Sequence, residues 1–182
     1  YELPVLSAPT CHPAREVPMD PYALGLLLGD GCLTGTTTPS FATSDPELAV
    51  ELQSALPGVA VNWKDRVNYT LNRVKSPGDV VTLENPVTGA LRALELLGTR
   101  SHTKFIPEVY LANTAEVRVA LLQGLLDSDG GPVTQSGRSC RIQYTTCSER
   151  LRDELAREGF DVTTACDGEG VIAEMLKRSA KA

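Results

Sequence analysis

The chain has 182 residues, 42% of them hydrophobic, and carries a formal net charge of −6 at pH 7. Such a length supports one sizeable core or two small cores that share a boundary, and the negative charge argues against a generic nucleic-acid binder, because phosphate contacts need Lys and Arg. The five cysteines include no Cys-x-x-Cys pair, so we expect neither a disulfide framework nor a zinc site, and we expect a reducing cytoplasm. We also expect no signal peptide, membrane span or lipid anchor.

The charged residues are distributed unevenly along the chain. Residues 1–59 carry one basic and seven acidic side chains, whereas residues 60–105 carry seven basic and four acidic ones. Positive charge is therefore concentrated in the middle of the chain, which keeps nucleic-acid binding open.

The first third of the chain contains clear start and stop signals for regular structure. Residues 1–17 contain several prolines and predict a lead-in without regular structure. Asp20 and Pro21 predict the N-cap and the first position of a helix. The threonine-rich residues 32–43 predict a β-hairpin.

Two more helices and two strands are predicted before residue 100. Ser44 and Glu47 form a capping-box pattern that opens an amphipathic helix. Its core-facing residues are Leu48, Leu52, Ala55 and Leu56. Residues 59–64 and 67–74 predict strands, and residues 86–98 predict a helix. The core-facing residues of that helix are Leu91, Leu94 and Leu97.

One sequence motif occurs twice in the chain. Residues 121–131, LLQGLLDSDGG, repeat residues 24–31, LGLLLGDG, and corresponding positions lie 99 residues apart. Each copy carries small residues four positions apart, which a helix places on one face. These residues are Gly25 and Gly29 in the first copy and Gly124 and Ser128 in the second. We therefore expect two helices that pack closely along these faces.

Each copy ends in Asp-Gly. Asp30 and Asp129 fall at predicted helix C-termini, where the helix dipole disfavours an anion, and Gly31 and Gly130 are suitable C′ residues. If the helices are parallel, the two carboxylates meet and need a cation. The alternative is that each Asp-Gly pair only stops a helix.

The second half repeats more than this motif. Asn113 and Thr114 predict the start of the second motif helix, and residues 130–146 predict a second hairpin in which residues 144–146 correspond to 41–43. A helix capped by Ser148 repeats the earlier leucine pattern at an offset of 103 residues. Residues 160–166 then predict one strand, and residues 171–178 a helix, so the second half is expected to be shortened.

Residues 23–31, ALGLLLGDG, and 122–130, LQGLLDSDG, resemble the two signature motifs of LAGLIDADG homing endonucleases, above all those carried inside inteins. The resemblance covers residues 16–160. It implies an α+β fold with two αββαββα halves related by a pseudo-twofold axis, saddle-shaped sheets that bind double-stranded DNA, and Mg²⁺ held by Asp30 and Asp129. The corresponding division is a lead-in at 1–17, a first half at 18–112 and a second at 113–182.

The resemblance also implies partners. We expect a monomer that binds a long double-stranded DNA site and cuts both strands. No His-Asn pair is present, so we expect an intein splicing module elsewhere in the parent chain.

The sheet beside the central basic residues is the expected DNA surface. In strand 67–74, Tyr69, Leu71 and Arg73 alternate with Thr70, Asn72 and Val74, and neither face is purely apolar. Basic side chains can reach phosphates and guanine edges from such a ribbon. The candidate DNA-binding residues are Lys64, Arg66, Arg73 and Lys75, with Arg138 and Arg141 in the second hairpin. The alternative is an ordinary solvated sheet with surface charge.

Residues 101–107, SHTKFIP, match the Lys-x-Ile-Pro segment of intein endonucleases, whose lysine lies near the scissile phosphate. Lys104 is therefore a candidate catalytic residue, and the alternative is a surface lysine in a polar loop. Lys177 and Lys181 are loose candidates for a second lysine. Ser44 and Cys147 occupy positions where the family often has a glutamine that orders the attacking water.

Some other functions compete with cleavage, and others are excluded. A degenerate endonuclease or a LAGLIDADG-derived module would bind DNA without cutting it, and a purely structural domain would show no salt-dependent binding. Residues 127–130 lack the ligand spacing and closing glutamate of a calcium loop. No dinucleotide-binding or P-loop motif occurs.

Overall fold

A computed structural model provides the structure and describes residues 12–35, 38–75, 77–78, 83–133, 141–157 and 171–175. None of the helices in these ranges combines the length and apolar character that crossing a membrane requires. The helices are α1 (Pro21–Asp30), α2 (Pro46–Ala55), α3 (Pro86–Ala93), α4 (Glu108–Leu111), α5 (Ala115–Asp129) and α6 (Glu149–Arg157), with a 3₁₀ helix at Ser101–Thr103. The strands are β1 (Gly31–Cys32), β2 (Ser40–Ala42), β3 (Val59–Asp65), β4 (Asn68–Arg73), β5 (Gly130–Val133), β6 (Arg141–Thr146) and β7 (Val171–Met175).

The described strands form two antiparallel sheets, with orders β1-β2-β4-β3 and β5-β6-β7. The helices of the two repeated motifs, α1 and α5, are followed directly by the first strands of the two sheets, β1 and β5. Gly31 lies opposite Phe41 in the first sheet, and Gly130 lies opposite Tyr144 in the second. The α+β class is therefore confirmed, whereas the pseudo-twofold duplication and saddle shape stay predictions.

The helix α1 begins and ends where the sequence predicts. Asp20 is its N-cap and accepts a hydrogen bond from the amide of Ala23, with Pro21 in the first turn. Gly31 and Gly130 follow α1 and α5, but both are extended and not left-handed. Glycine is required there because a Cβ would collide with the carbonyl of the preceding helical turn.

Two predictions for the first half are wrong in detail. Asp45, not Ser44, caps α2, because its carboxylate accepts a hydrogen bond of 2.9 Å from the amide of Glu47. The helix α3 ends at Ala93, not at residue 98, because Glu95 adopts a left-handed φ of 60°. This turn allows Leu96 to be fully buried.

The prediction of a helix over residues 171–178 is also wrong where the structure describes it. Val171–Met175 form β7, which pairs antiparallel with β6 as β4 pairs with β2. The exposed edge of β6 offers ladder hydrogen bonds to a β-branched segment, and this long-range pairing overrides local helix propensity. The predicted strand 160–166 and residues 1–11 of the lead-in lie outside the described residues.

The core is organised around α1, which packs along α5 more extensively than along any other described element. Residues 23–28 of α1 are all buried. The backbone at Gly25 contacts the backbone of α5 between Leu121 and Leu125, and Gly29 contacts Ser128. The helices are therefore parallel and in register, and we call their contact the helix seam.

We expect Gly124→Ala to lower the free energy of unfolding by about 1–3 kcal/mol or more, because the new Cβ would collide with the carbonyl oxygen of Tyr22 in α1. Urea unfolding monitored by circular dichroism measures the effect. Gly131→Ala is the matched control, since a Cβ there meets nothing within 4 Å. Equal stability of the two variants would contradict the close seam.

Candidate metal centre and nucleic-acid interface

The helix seam brings the two motif acids together. Asp30 and Asp129 are the last residues of α1 and α5, and the helices are in register. A Cβ added to Gly29 would lie only 3.2 Å from Oδ2 of Asp129, which shows how closely the last turn of α1 approaches this carboxylate. The two carboxylates and the negative ends of two helix dipoles therefore share one small region.

The pKa values of both acids are raised, chiefly by burial. Partial burial of its carboxylate, followed by the negative charge of Asp30, raises the pKa of Asp129 to about 6, against a lowering effect of Lys104. Burial also raises the pKa of Asp30, and Lys104 again opposes this. Neighbouring carboxylates that resist ionisation favour a bound cation.

The donor set fits Mg²⁺. This ion is commonly held by one or two carboxylates, with water and substrate phosphates completing its octahedral shell. Within the described ranges, no three His, Cys, Asp or Glu side chains cluster as a metal cage would require. Asp30 and Asp129 would therefore hold the ion at the seam and leave positions open for a phosphate.

Lys104 lies beside this acid pair, so the alternative of a surface lysine is wrong. Its side chain is only 3% exposed. Nζ donates hydrogen bonds to the carbonyls of Leu27, Gly29 and Gly31 at 3.1, 2.8 and 2.8 Å. These carbonyls lie at the C-terminal end of α1, where the carbonyl of Leu27 also accepts from the amide of Gly31, and the ammonium group donates all three of its protons to them. Burial lowers the pKa of Lys104, while Asp129 and Asp30 raise it.

The helix α6 fixes the backbone on both sides of Phe105. Ser148 Oγ donates a 2.6 Å hydrogen bond to the carbonyl of Lys104, and the buried Glu154 carboxylate accepts one of 2.6 Å from the amide of Ile106. The guanidinium group of Arg150 stacks on the ring of Phe105, 3.8 Å from its centroid. Lys104 is thereby held between α1 and α6.

Sequence reasoning finds only part of this support. The sequence predicts Ser148 as the cap of α6, and its hydroxyl does accept from the amide of Leu151, but its bond to Lys104 is not predicted. Glu154 is not predicted at all. Its signal is an acid next to Leu155 on the apolar face of an amphipathic helix.

Tyr144 is a further residue that the sequence does not single out. Its side chain is 1% exposed, and its hydroxyl has no hydrogen-bond partner among the described residues. Burial, then the nearby charges of Asp129 and Asp30, raise its pKa. The available signal is the correspondence with Phe41, because only the second copy carries a hydroxyl.

Shallow pockets flank the acid pair on its two sides. The pocket beside Asp30 is lined by cationic and polar residues: Lys104, Arg100, Ser101, Thr34 and Cys32. The pocket beside Asp129 is lined by neutral residues, among them Gln143 and Thr145. The described surroundings of the two acids thus differ in charge.

The first sheet has one packed face and one polar face. Phe41 and Leu71 are fully buried on the packed face. The polar face carries uncharged side chains, in which Asn72 donates to Thr70 at 2.9 Å. The residues of this face include Ser40, Asn62, Thr70 and Asn72, and at its hairpin end Asn68 donates to the carboxylate of Asp65 at 2.6 Å. We call it the open sheet face.

The predicted DNA-binding residues fall into three groups. Lys64, Arg66 and Lys75 are exposed around the β3–β4 hairpin. Arg73 is partly exposed, lies opposite the buried Val59 and shares the packed side of β4 with Leu71, and its contact with DNA stays a prediction. Of the second-hairpin pair, Arg138 lies outside the described residues, and Arg141 is described only in its backbone. Lys177 and Lys181 also lie outside.

Sequence comparisons match the chain to parts of much longer proteins, whereas no protein-family model matches it. It is 29% identical over 144 residues to the replicative DNA helicase DnaB of Mycobacterium intracellulare, which covers 79% of this chain and 19% of that protein. It is 25% identical over 133 residues to a DNA gyrase subunit from Mycobacterium kansasii, with coverages of 73% and 24%. The chain therefore spans less than a quarter of the length of these relatives.

Two solved structures overlap with this chain in part. I-SmaMI bound to an uncleaved DNA target in the presence of calcium ions gives a TM-score of 0.47 at 12% identity, covering 86% of this chain and 79% of that chain. The meganuclease I-SmaMI bound to uncleavable DNA gives 0.40 at 13% identity, with coverages of 85% and 78%. Overlaps of this extent assign neither a fold nor an activity to this chain.

We expect Lys104→Met to lower the free energy of unfolding by at least about 3 kcal/mol, because three carbonyls at the end of α1 lose the ammonium donor and Asp30 loses a nearby positive charge. Urea denaturation at neutral pH measures the loss. Lys64→Met, at an exposed position, should stay within about 0.5 kcal/mol of the wild type. If Lys104→Met unfolds with the same free energy as the wild type, the ammonium group does not cap α1.

We expect Asp129→Asn to stabilise the metal-free protein increasingly as the pH rises from about 4 to above 6. The raised pKa of Asp129 gives the wild type stability that is present below its ordinary pKa of 3.8 and is lost as the pH passes about 6. Thermal unfolding of both proteins in chelator across this range measures the difference.

Glu16→Gln, at an exposed acid before α1, controls for the loss of one negative charge. Added Mg²⁺ should stabilise the wild type and not Asp129→Asn. If the stability difference between Asp129→Asn and the wild type does not change with pH, the pKa of Asp129 is not raised in the folded protein.

Proposed function

We propose that this chain is a site-specific double-strand DNA endonuclease domain of the LAGLIDADG homing type. The observation that carries the proposal is the pair of carboxylates at the ends of two parallel, closely packed helices. Asp30 and Asp129 would both ligate Mg²⁺. Bound there, the ion would activate a water and stabilise charge on the scissile phosphate.

Residues of this chain would position the remaining groups. Lys104 fixes the C-terminal turn of α1, and so the direction in which Asp30 leaves the helix, while its charge offsets part of the repulsion between the acids. Arg100 lines the pocket beside Asp30 and is exposed, so it can contact a phosphate oxygen there. Water access is retained because Asp129 is partly exposed.

The DNA would lie along the two sheets. Uncharged amides and hydroxyls of the open sheet face suit hydrogen bonds to base edges, since asparagine and glutamine pair well with adenine. Lys64, Arg66 and Lys75 would contact phosphates from the hairpin, and Arg138 and Arg141 would do so from the second half. A single chain with two halves would act as a monomer on a long, nearly symmetric site.

The sequence relatives support an intein setting. The chain matches less than a quarter of a replicative helicase and less than a quarter of a gyrase subunit. An element that is inserted into different host genes would produce such partial matches. Homing would then consist of cutting the host gene that lacks the insertion, and splicing would be carried out by a module elsewhere in the parent chain.

A second candidate is a DNA-binding domain that no longer cuts. The observation that favours it is the hydrogen bonding of Lys104, whose three protons are all given to backbone carbonyls, so that none is directed at a substrate. Cys147 at the expected position of a water-ordering residue points in the same direction.

The decisive experiment is cleavage of duplex DNA in Mg²⁺, using a plasmid library of intact helicase and gyrase gene segments as candidate insertion sites. We expect linearised plasmid with the wild type and at least about 100-fold slower cleavage by Asp30→Asn and Asp129→Asn, because each loses a metal ligand. Asp127→Asn is the matched control, since its exposed side chain keeps an acceptor for the Tyr22 hydroxyl.

The outcomes separate the candidates. Cutting that both motif variants lose supports the endonuclease. Salt-dependent DNA binding without cutting in Mg²⁺ or Mn²⁺ supports the non-cleaving binder. Absence of both binding and cutting contradicts a role in DNA recognition.

A further inference from the structure

The hydroxyl of Tyr144 is a buried polar group on β6, the strand that pairs with the segment following Asp129. Tyr144 lies opposite Gly130, the residue that follows Asp129, in the register of β5 and β6. Its side chain is 1% exposed, and its hydroxyl has no partner among the described residues. The neighbouring Gln143 and Thr145 line the pocket beside Asp129, so Tyr144 lies on the opposite face of β6, where it belongs to the buried core.

A buried hydroxyl without a partner is costly, and native proteins rarely keep one without a use. The groups close enough to act on the phenol electrostatically include the carboxylates of Asp129 and Asp30. A carboxylate is the strongest acceptor that a hydroxyl can find in a protein. Asp129 keeps solvent exposure, so its carboxylate has room to rotate toward the ring, whereas the ring is held by packing.

We infer that Tyr144 is a positioning residue of the acid pair: its hydroxyl donates a hydrogen bond to the Asp129 carboxylate and fixes the orientation in which the pair binds a divalent cation. This inference rests on the proposed metal site. Hydrogen-bond partners of ligating carboxylates generally orient the ligand and tune the affinity for the metal.

The inference also predicts a difference between the two halves. Phe41 occupies the corresponding place opposite Gly31, is equally buried, and has no hydroxyl to offer Asp30. Lys104 instead fixes the end of α1 through the carbonyls around Asp30. A different chemical group would thus position each acid, the ammonium group of Lys104 for Asp30 and the phenol of Tyr144 for Asp129.

The test is a calcium titration of the metal-free protein without DNA, followed by thermal unfolding and by the near-ultraviolet absorbance of tyrosine. We expect Tyr144→Phe to weaken the apparent calcium affinity about 10- to 100-fold. We also expect calcium to perturb the tyrosine absorbance of the wild type and not that of Tyr144→Phe. If the ring had only a structural role, calcium would not change the tyrosine absorbance.

Two further variants serve as controls. Tyr69→Phe removes a phenol at a partly exposed position of β4 in the other sheet and should keep the wild-type calcium affinity and the calcium-dependent tyrosine signal. Asp129→Asn should abolish both calcium responses. Unfolding of each variant in chelator confirms that it is folded before calcium is added.

The possible results differ in what they overturn. Equal calcium affinities of Tyr144→Phe and the wild type, with the same absorbance change, would overturn the role of Tyr144 and leave the acid pair as a metal site. A wild type that does not respond to calcium at all would overturn the metal site and the positioning role together.

Discussion

The close contact of α1 and α5 is the constraint on which the rest of this molecule depends. Glycines at positions 25 and 124 let the two backbones touch, and no side chain with a Cβ fits at either place. Because the helices are parallel and in register, this contact also aligns their C-terminal ends. Two carboxylates, two sets of unsatisfied carbonyls and two negative dipole ends are thereby brought together. The helix seam that stabilises the core therefore also concentrates negative charge at its C-terminal end.

Lys104 partly offsets this negative charge. A buried ammonium group is tolerated only where hydrogen bonds and opposite charges replace its hydration, and three carbonyls and two nearby acids do so here. The same residue is held from the other side by Ser148 on α6. Its segment therefore ties the C-terminal end of α1 to α6. Burial, and after it the negative charge of Asp30, still raise the pKa of Asp129, and this cost of ionisation is what makes a divalent cation a reasonable further partner.

Much of the framework could be predicted because its signals are local or repeated. The caps at Asp20 and Ser148 and the two motif helices follow from short-range rules, and the doubled motif predicted that the acids would meet. Contacts between distant segments could not be predicted in this way. The bonds of Lys104 span more than 70 residues, and β7 forms only because the edge of β6 is available to it. The place of Arg73 on the packed face depends on which side of the sheet the helices cover, which alternation alone does not decide.

The two sides of the acid pair are built from different chemistry, and this difference bears on how the site would work. The side of Asp30 has the buried ammonium group of Lys104 and the exposed guanidinium of Arg100, whereas the described side of Asp129 has a phenol, an amide and a hydroxyl. A phosphate approaching the first side meets positive charge, and one approaching the second meets only neutral donors. Since each half would act on one DNA strand, the strand on the side of Asp30 would have the better stabilised phosphate. The absence of a matching lysine among the described residues of the second half is thus compatible with a working centre whose two strands are cut at different rates.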